Sequence, residues 1–435
     1  MSLETFQEAA EQAYRGFVNG EELYVATTGT VDWIRFFAWR QETNRNYFPN
    51  PNLKPSGTMV EVRRNLALNP LGVQSGDQTE YLARYGWARS YTTGITNHPL
   101  GIATAVRLTA TGNGTGTGRG FDTYGNADTA AGTNTGARAC TPGATLRVSG
   151  WHRANFDNRV IMRVRFINRS VDPPEYTSAS VSTQMVSAPA NTWVEAPFEG
   201  VVPANATHFV AHLHQNDTAT YVANETWIEQ TGVMVTENSP GPFFAPGLPS
   251  PDADLEPAWT GTPNASASVL RGQAVAGLTT VRCAAIRSSK FGGSLRLISL
   301  GASAYAYFAV PTALAASCTF MATAHTEAPL SGSLDQYRMR IVATDPVQAS
   351  PAVPNEAGSY PQRLVVSSLV TPRWAHLRHG GGVGSGDVYW TNVGLFAGDY
   401  TGPWFSGDEP PGPDTETEWA GEPDKSESIL YEWLE

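Results

Sequence analysis

Two stretches of the chain share one skeleton: Ala258–Leu270, AWTGTPNASASVL, and Glu418–Leu430, EWAGEPDKSESIL. The pattern W-x-G-x-P-x-x-S-x-S-[VI]-L is kept at Trp259/Trp419, Gly261/Gly421, Pro263/Pro423, Ser266/Ser426, Ser268/Ser428 and Leu270/Leu430. Reading upstream from the tryptophans, Gly241-Pro242-Phe243-Phe244 answers Gly402-Pro403-Trp404-Phe405, and TWIEQTGVMV ending at Val235 answers YWTNVGLF ending at Phe396, around Gly232 and Gly394. Further back, Ala211-His212-Leu213 answers Ala375-His376-Leu377, Arg163-Val164-Arg165-Phe166 answers Arg338-Met339-Arg340-Ile341, and ATLRVSGW from Ala144 answers ASCTFMAT from Ala316. The matches keep their order while the offset drifts from 160 residues (258 to 418) to 175 (163 to 338), as loop-length differences between duplicated domains would make it. The chain reads as two copies of one domain.

Composition fixes the class of that domain. With 435 residues, 41% hydrophobic and 10% aromatic, the chain has apolar surface for two or three cores. Gly (42) and Pro (30) are plentiful and charged residues are only 16%, the profile of short strands joined by turns. Each copy shows alternating segments of strand length separated by Gly, Pro, Asn and Asp clusters, so the expected fold is mainly β: two tandem antiparallel β-sandwich domains preceded by a short α/β N-terminal segment. A net charge of −11 gives a field that disfavours nucleic acid. Cys140, Cys283 and Cys318 form no C-x-x-C pair and read as free thiols. The first residues, MSLETFQEAAEQAYRGF, lack a basic n-region and an apolar h-region, and no run approaches a membrane span. The reading is synthesis in a cytoplasm with no self-evident route out.

The boundaries follow from the repeat. Residues 1–62 are expected as an N-terminal segment: an amphipathic helix with Leu3, Phe6, Ala10, Ala13 and Phe17 on one stripe, then the aromatic strand-length run VDWIRFFAWRQ. Residues 63–242 form the first sandwich, 243–270 its Pro/Asp-rich arm with the W-x-G-x-P clamp, 271–403 the second sandwich and 404–435 the second arm and clamp. The Gly/Thr-rich stretch Thr111–Gly136 lacks the Lys-Ser/Thr and the following helix of a phosphate-binding loop and reads as a surface loop. In the clamp, Trp259 and Trp419 are expected to anchor arms that build no core of their own, with Gly261/Gly421 and Pro263/Pro423 shaping a turn; sugar stacking is the other use for such a tryptophan.

The chemistry points to binding without catalysis. Neither G-x-S-x-G nor H-E-x-x-H occurs, and the acids gather in the arms (Asp252, Asp254, Glu256; Asp408, Asp414, Glu416, Glu418), where a carboxylate pair is hard to hold at the separation glycoside hydrolysis needs. Those arms read as solvated, or as oxygen ligands for Ca²⁺. His212 and His214 share a strand face as metal ligands can, but the counterparts are His376 and Arg378, and an arginine repels a cation, so no metal and no cofactor is expected. Both copies place polar residues on one face: Arg163, Arg165, His212 and His214 in the first, Arg338, Arg340, His376 and Arg378 in the second. Such a face serves as a solvated sheet surface or as an interface with a neighbouring subunit. It also serves as a cationic groove, because guanidinium forks suit carboxylate and phosphate.

The order RNLALNP, LRVSGWHRA, TWVEAPFEGVVPANATHFVAHLH and WIEQTGVMV resembles the jelly rolls of carbohydrate-binding modules from polysaccharide-degrading enzymes. The text WFSGDEPPGPDTETEWAGEPDKSES, following such a jelly roll, is similar to minor tail proteins of siphovirus-like phages infecting actinobacteria. Together the resemblances cover about residues 64–435. They imply a non-enzymatic structural protein of a tail tip or baseplate, assembled in the host cytoplasm and located in the virion. Its partners would be other tail proteins and host cell-wall glycan, with several copies or a homo-oligomer set by the tail's symmetry. A secreted, non-catalytic carbohydrate-binding accessory module is the alternative.

Overall fold

The computed structural model describes residues 39–76, 82–83, 87–124, 136–177, 181–182, 185–314, 317–330, 337–343, 347–354, 356–367, 373–379, 386–408, 415–424 and 426–434. The expected helix at Leu3–Phe17 and most of the aromatic run after it lie outside these residues. Among the described residues every regular element is a strand or a short 3-10 turn, and all the strand pairs with defined register are antiparallel, as in the pair Asn158–Asn168 and His208–Gln215. No helix here is long and apolar enough to cross a membrane.

The chain divides into two compact units, residues 58–273 and residues 1–57 with 274–435. The copies are therefore nested in chain order, and the segment expected as a separate 1–62 is divided between them. The reason is visible in strand pairing. Trp39–Asn46 pairs along its length with the last strand, Ser428–Leu434, from Trp39 against Leu434 to Asn46 against Ser428. Phe48 and Leu53 then enter the core of the second sandwich, Phe48 lying 4.7 Å from Phe308. In the first copy Pro55–Asn65 pairs with the strand Ser268–Val275.

The first sandwich has one sheet ordered Glu175–Tyr176, Asn158–Asn168, His208–Gln215, Gly120–Tyr124, Leu82–Ala83, and a second ordered Val194–Val201, Thr145–Ala154, Trp227–Glu237, Thr104–Thr109, Ala88–Thr93. Strand alternation builds its core: Val160, Met162, Val164 and Phe166 from one sheet meet Leu146, Val148 and Phe198 from the other. The second sandwich repeats this with Thr279–Val281, Ala304–Ala309, Arg373–His379, Met339–Ala343 and Gln348–Ala349 in one sheet. Its other sheet contains Cys283–Ser288, Ser294–Ser299, Val388–Ala397, Ser317–Thr326 and Gly358–Ser367. The three cysteines are free, Cys283 and Cys318 buried in the second copy.

The clamp is a β-hairpin in both copies, Glu256–Trp259 with Ser268–Val275 and Thr415–Trp419 with Ser428–Leu434. Its turn is tied by the repeated serine: Ser266 Oγ accepts from Gly261 N at 3.0 Å and donates to Thr262 O at 2.9 Å, and Ser426 Oγ does the same with Gly421 N at 2.9 Å and Glu422 O at 3.0 Å. Ser268, Leu270, Ser428 and Leu430 are buried, which explains why they recur. The arm acids are engaged locally: Trp419 donates Nε1–H to Asp408 Oδ1 at 3.0 Å, Asn52 donates to Asp424 Oδ1 at 3.0 Å, and Glu256 pairs with Arg271.

The glycines and prolines of the W-x-G-x-P motif lie at the turn, where they are expected, and its tryptophans lie beside it. Gly261, Pro263, Gly421 and Pro423 are all exposed at the hairpin tips, and Trp259 and Trp419 are only half-buried. Pro263 shapes the turn as expected without anchoring anything: it stands second in the β-turn closed by Ala265 N donating to Thr262 O at 3.1 Å, and Asn264 after it takes φ +55°. Pro423 holds the same place, exposed and followed by Asp424 at φ +58°. The proline's fixed φ sets the bend at the tip, while the hold on the sandwich comes from the buried serine and leucine downstream.

Two repeat alignments shift once register is seen. Gly232, at φ +61°, occupies the bulge between Thr231 and Met234, and the matching bulge in the second copy is made by Asn392 at φ +53°, so the counterpart of Gly232 is Asn392 and not Gly394. Arg163 faces His212 across the strands as Arg340 faces His376, which matches Arg163 with Arg340 rather than Arg338. A slip of two residues keeps the same face, so the sequence pattern could not detect it. The expected loop 111–136 also contains strands, Gly114–Gly116 and Gly120–Tyr124. Gly120 allows this, since a Cβ there would collide with Leu213 O.

One side chain is repeated in function as well as in kind. Asn46 Oδ1 accepts from the amides of Phe48 and Leu395 at 3.1 and 3.0 Å, and Asn65 Oδ1 accepts from those of Ala67 and Val235 at 3.1 and 2.9 Å. Both side chains are 0% exposed. Asn46→Ala and Asn65→Ala should each destabilise their own unit by about 1–3 kcal/mol, because two buried amides lose their acceptor; urea unfolding of the purified variants measures it. A second expectation concerns pH. Burial pulls His152 down to about 3 and, with Arg153 nearby, His98 to about 4. The unfolded chain binds their protons first, so the first sandwich should lose stability as pH falls from about 6.5 towards 4, by about 1.4 kcal/mol per pH unit per histidine. His152→Ala, the residue present at the register-equivalent position Ala324, should remove one proton's worth of that slope in melting curves recorded against pH.

Candidate functional site

The sequence-derived polar faces separate into one closed and one open surface. In the first copy His212 and His214 are 4% and 2% exposed, their rings 4.9 Å apart. Arg163, half-buried, donates to Asn216 Oδ1 at 3.1 Å, and Arg165 lies over the Tyr176 ring at 3.7 Å. Ile161, Ile167 and Val210 occupy the positions between them on the same face and are buried, the last two packed with Ala137 and Tyr176. The first copy's face is thus covered at its histidines and isoleucines, with Arg163 and Arg165 half-buried, which corrects the expectation of a polar exposed face in both copies. The isoleucines and Val210, with the side chains of Ala137 and Tyr176, account for the closure.

The second copy leaves the corresponding face open. Three neighbouring strands, Ala304–Ala309, Arg373–His379 and Met339–Ala343, send alternate residues into the core: Ala304, Ala306 and Phe308; Ala375 and Leu377; Met339 and Ile341. The residues between them form a grid on the other face. One row is Tyr305, Arg378 and Arg338, the last two joined by Arg378 N donating to Arg338 O at 3.0 Å. The next is Tyr307, His376 and Arg340, and the third is Ala309, Trp374 and Val342. Strands lie about 4.8 Å apart and same-face side chains about 6.8 Å apart along each strand, so the grid spans about 10 by 14 Å.

Its aromatic members are mutually ordered. Tyr305 and His376 stack with centroids 4.5 Å apart and planes 6° apart, Tyr307 meets Trp374 edge-on at 5.1 Å, and Trp374 is 37% exposed. Burial with Arg378 and Arg340 alongside draws His376 down to about 4, so the imidazole is neutral at physiological pH and acts as an aromatic and hydrogen-bonding surface. Arg378 is also lowered, by burial first and then by the charges of Arg340 and Arg338. Among the described residues no group of three or more metal-ligating side chains forms.

Of the expected site residues, Arg338, Arg340, His376 and Arg378 come together, and Arg163, Arg165, His212 and His214 come together on the closed face. Sequence reasoning misses Tyr305, Tyr307 and Trp374. Their signal is present all the same: tyrosines alternate with alanines in AYAYF from Ala304, and Trp374 stands two residues before His376.

No family model matches the chain, and no curated protein matches it. Among solved structures, the tandem CBM22-1–CBM22-2 domain of Paenibacillus barcinonensis Xyn10C is similar at 10% identity and TM-score 0.24, over 79% of this chain and all of that one. A CBM4 structure is similar at 15% identity and TM-score 0.24, over 39% of this chain and 93% of that one. The enzymatically active domain of tailspike protein 4 from bacteriophage CBA120 is similar at 15% identity and TM-score 0.23, over 39% of this chain and 21% of that one. The chemistry of the site rests on this chain's own side chains.

The two faces should differ in reactivity. Diethyl pyrocarbonate at pH 7 should modify His376 and leave His212 and His214 intact, since a neutral imidazole on an open face is the reactive form; peptide mass mapping reads the three sites separately.

Proposed function

We propose that the protein is a non-catalytic structural component of a phage tail tip or baseplate, and that its second sandwich attaches to glycan on the host surface. The observation that carries the binding role is the open grid around Trp374, Tyr305, Tyr307 and His376. Sugar rings present C–H faces that stack on aromatic rings and hydroxyls that accept from guanidinium and imidazole donors, and this face offers both within one span of about 10 by 14 Å. The tail assignment is supported by the W-x-G-x-P hairpins and their surrounding text. Neighbouring tail proteins would then hold several copies of the chain, and one weak site per copy would give avidity. In the same reading the first sandwich, its equivalent face closed, is a spacer.

Trp374→Ala combined with Tyr307→Ala should reduce binding of the purified protein to host cell-wall polysaccharide at least tenfold without lowering its melting temperature, as the loss of stacking worth about 1.4 kcal/mol or more would do. Virions carrying the double variant should assemble and adsorb slowly. Absence of the protein from purified particles would remove the tail assignment and leave the secreted accessory module, which could use the same face.

A further inference from the structure

The grid has a polarity that the general glycan reading does not use. Arg338, Arg340 and Arg378 occupy one corner across two adjacent strands, while Trp374, Tyr307 and Ala309 lie towards the opposite edge. Neighbouring guanidiniums repel, and Arg340 and Arg338 both act on Arg378 after its burial. Guanidiniums also present planar donor forks that match carboxylate and phosphate oxygens.

From this arrangement we infer that the glycan held by the second sandwich is anionic, with a carboxylate or phosphate over the Arg338/Arg340/Arg378 corner and an uncharged sugar ring over Trp374 and Tyr307. The inference rests on the glycan reading of the same face and adds the chemical class and orientation of the ligand. Arg338 and Arg378 lie two grid rows from Trp374, about 14 Å, and Arg340 one row away, which suits a ligand of more than one sugar unit. The closed first copy has glycine at 120 opposite His214, where the second copy has Tyr305 opposite Arg378, so one such site exists per chain among the described residues.

The test uses the full chain in titration calorimetry against three probes: an α-1,4-linked galacturonic acid tetramer, the corresponding neutral galactose tetramer, and a short glycerol-phosphate oligomer bearing one sugar. At least one charged probe should bind about ten times more tightly than the neutral tetramer, with the preference shrinking as salt rises from about 50 to about 500 mM. Which of the two it is distinguishes a carboxylate from a phosphate source. Arg340→Gln with Arg378→Gln should abolish the preference by weakening the charged probes more than the neutral one while the melting temperature holds, whereas Trp374→Ala should weaken every probe. Equal binding of neutral and charged probes, or a preference that survives the arginine variant, overturns the anionic inference and leaves glycan binding standing. Failure of all three probes to bind overturns both.

Discussion

Each sandwich is closed by a buried asparagine at the end of its first strand. Asn46 and Asn65 bond the amides beside the central-strand bulge, so the strand that begins each copy is fixed to the same point of its sheet. The clamp hairpin then pairs with that strand from the other side, Ser428–Leu434 on Trp39–Asn46. This explains why both motifs are written twice: R-N-x-x-x-N-P occurs at Arg45–Pro51 and at Arg64–Pro70, one at the start of each copy. The second asparagine is repeated in function too, Asn50 and Asn69 each bonding the backbone four residues on, at Lys54 and Val73. The nested chain order follows, since the two opening strands come one after the other and the first sandwich is completed before the second resumes.

On this shared frame the two copies diverged at a few outward positions. Where the second has Tyr305 opposite Arg378, the first has Gly120 opposite His214, and a Cβ at Gly120 would collide with the neighbouring strand. Where the second has Arg340 flanked by Val342, the first has Arg163 flanked by Ile161 and Arg165, the latter lying over Tyr176. The frame is indifferent to these choices because they lie outside the inter-sheet core. That freedom lets one copy keep an open aromatic face while the other buries its counterpart.

Much of this was legible in the sequence, and the exceptions have physical causes. The sandwich class, the duplication and the parity of the polar face follow from alternation, which fixes which residues share a face. Register does not follow, because a two-residue slip preserves that parity; this is why Arg338 stood in for Arg340. Repetition marked the clamp but not which of its residues grip: Pro423 and Gly421 recur because a tight tip needs them, and Ser428 and Leu430 recur because they are buried. The role of residues 39–57 was hidden because strand partners nearly 400 residues apart leave no local trace, as with Trp39 and Leu434. Exposure was hidden as well: the His212 and His376 neighbourhoods look alike in sequence, and only the packing of Ile167 and Val210 separates them. The tyrosines were visible but read as ordinary strand residues until Trp374 was seen beside Tyr307.

The central claim is that host glycan sits on the second sandwich's open face and nowhere on the first. A crystal structure of the chain soaked with a solubilised fragment of host cell-wall polysaccharide tests it directly. The account predicts sugar density stacked on Trp374 and Tyr307 with Arg378 and Arg340 in hydrogen-bonding contact. Density confined to the first copy, or to loops away from the grid, would contradict it.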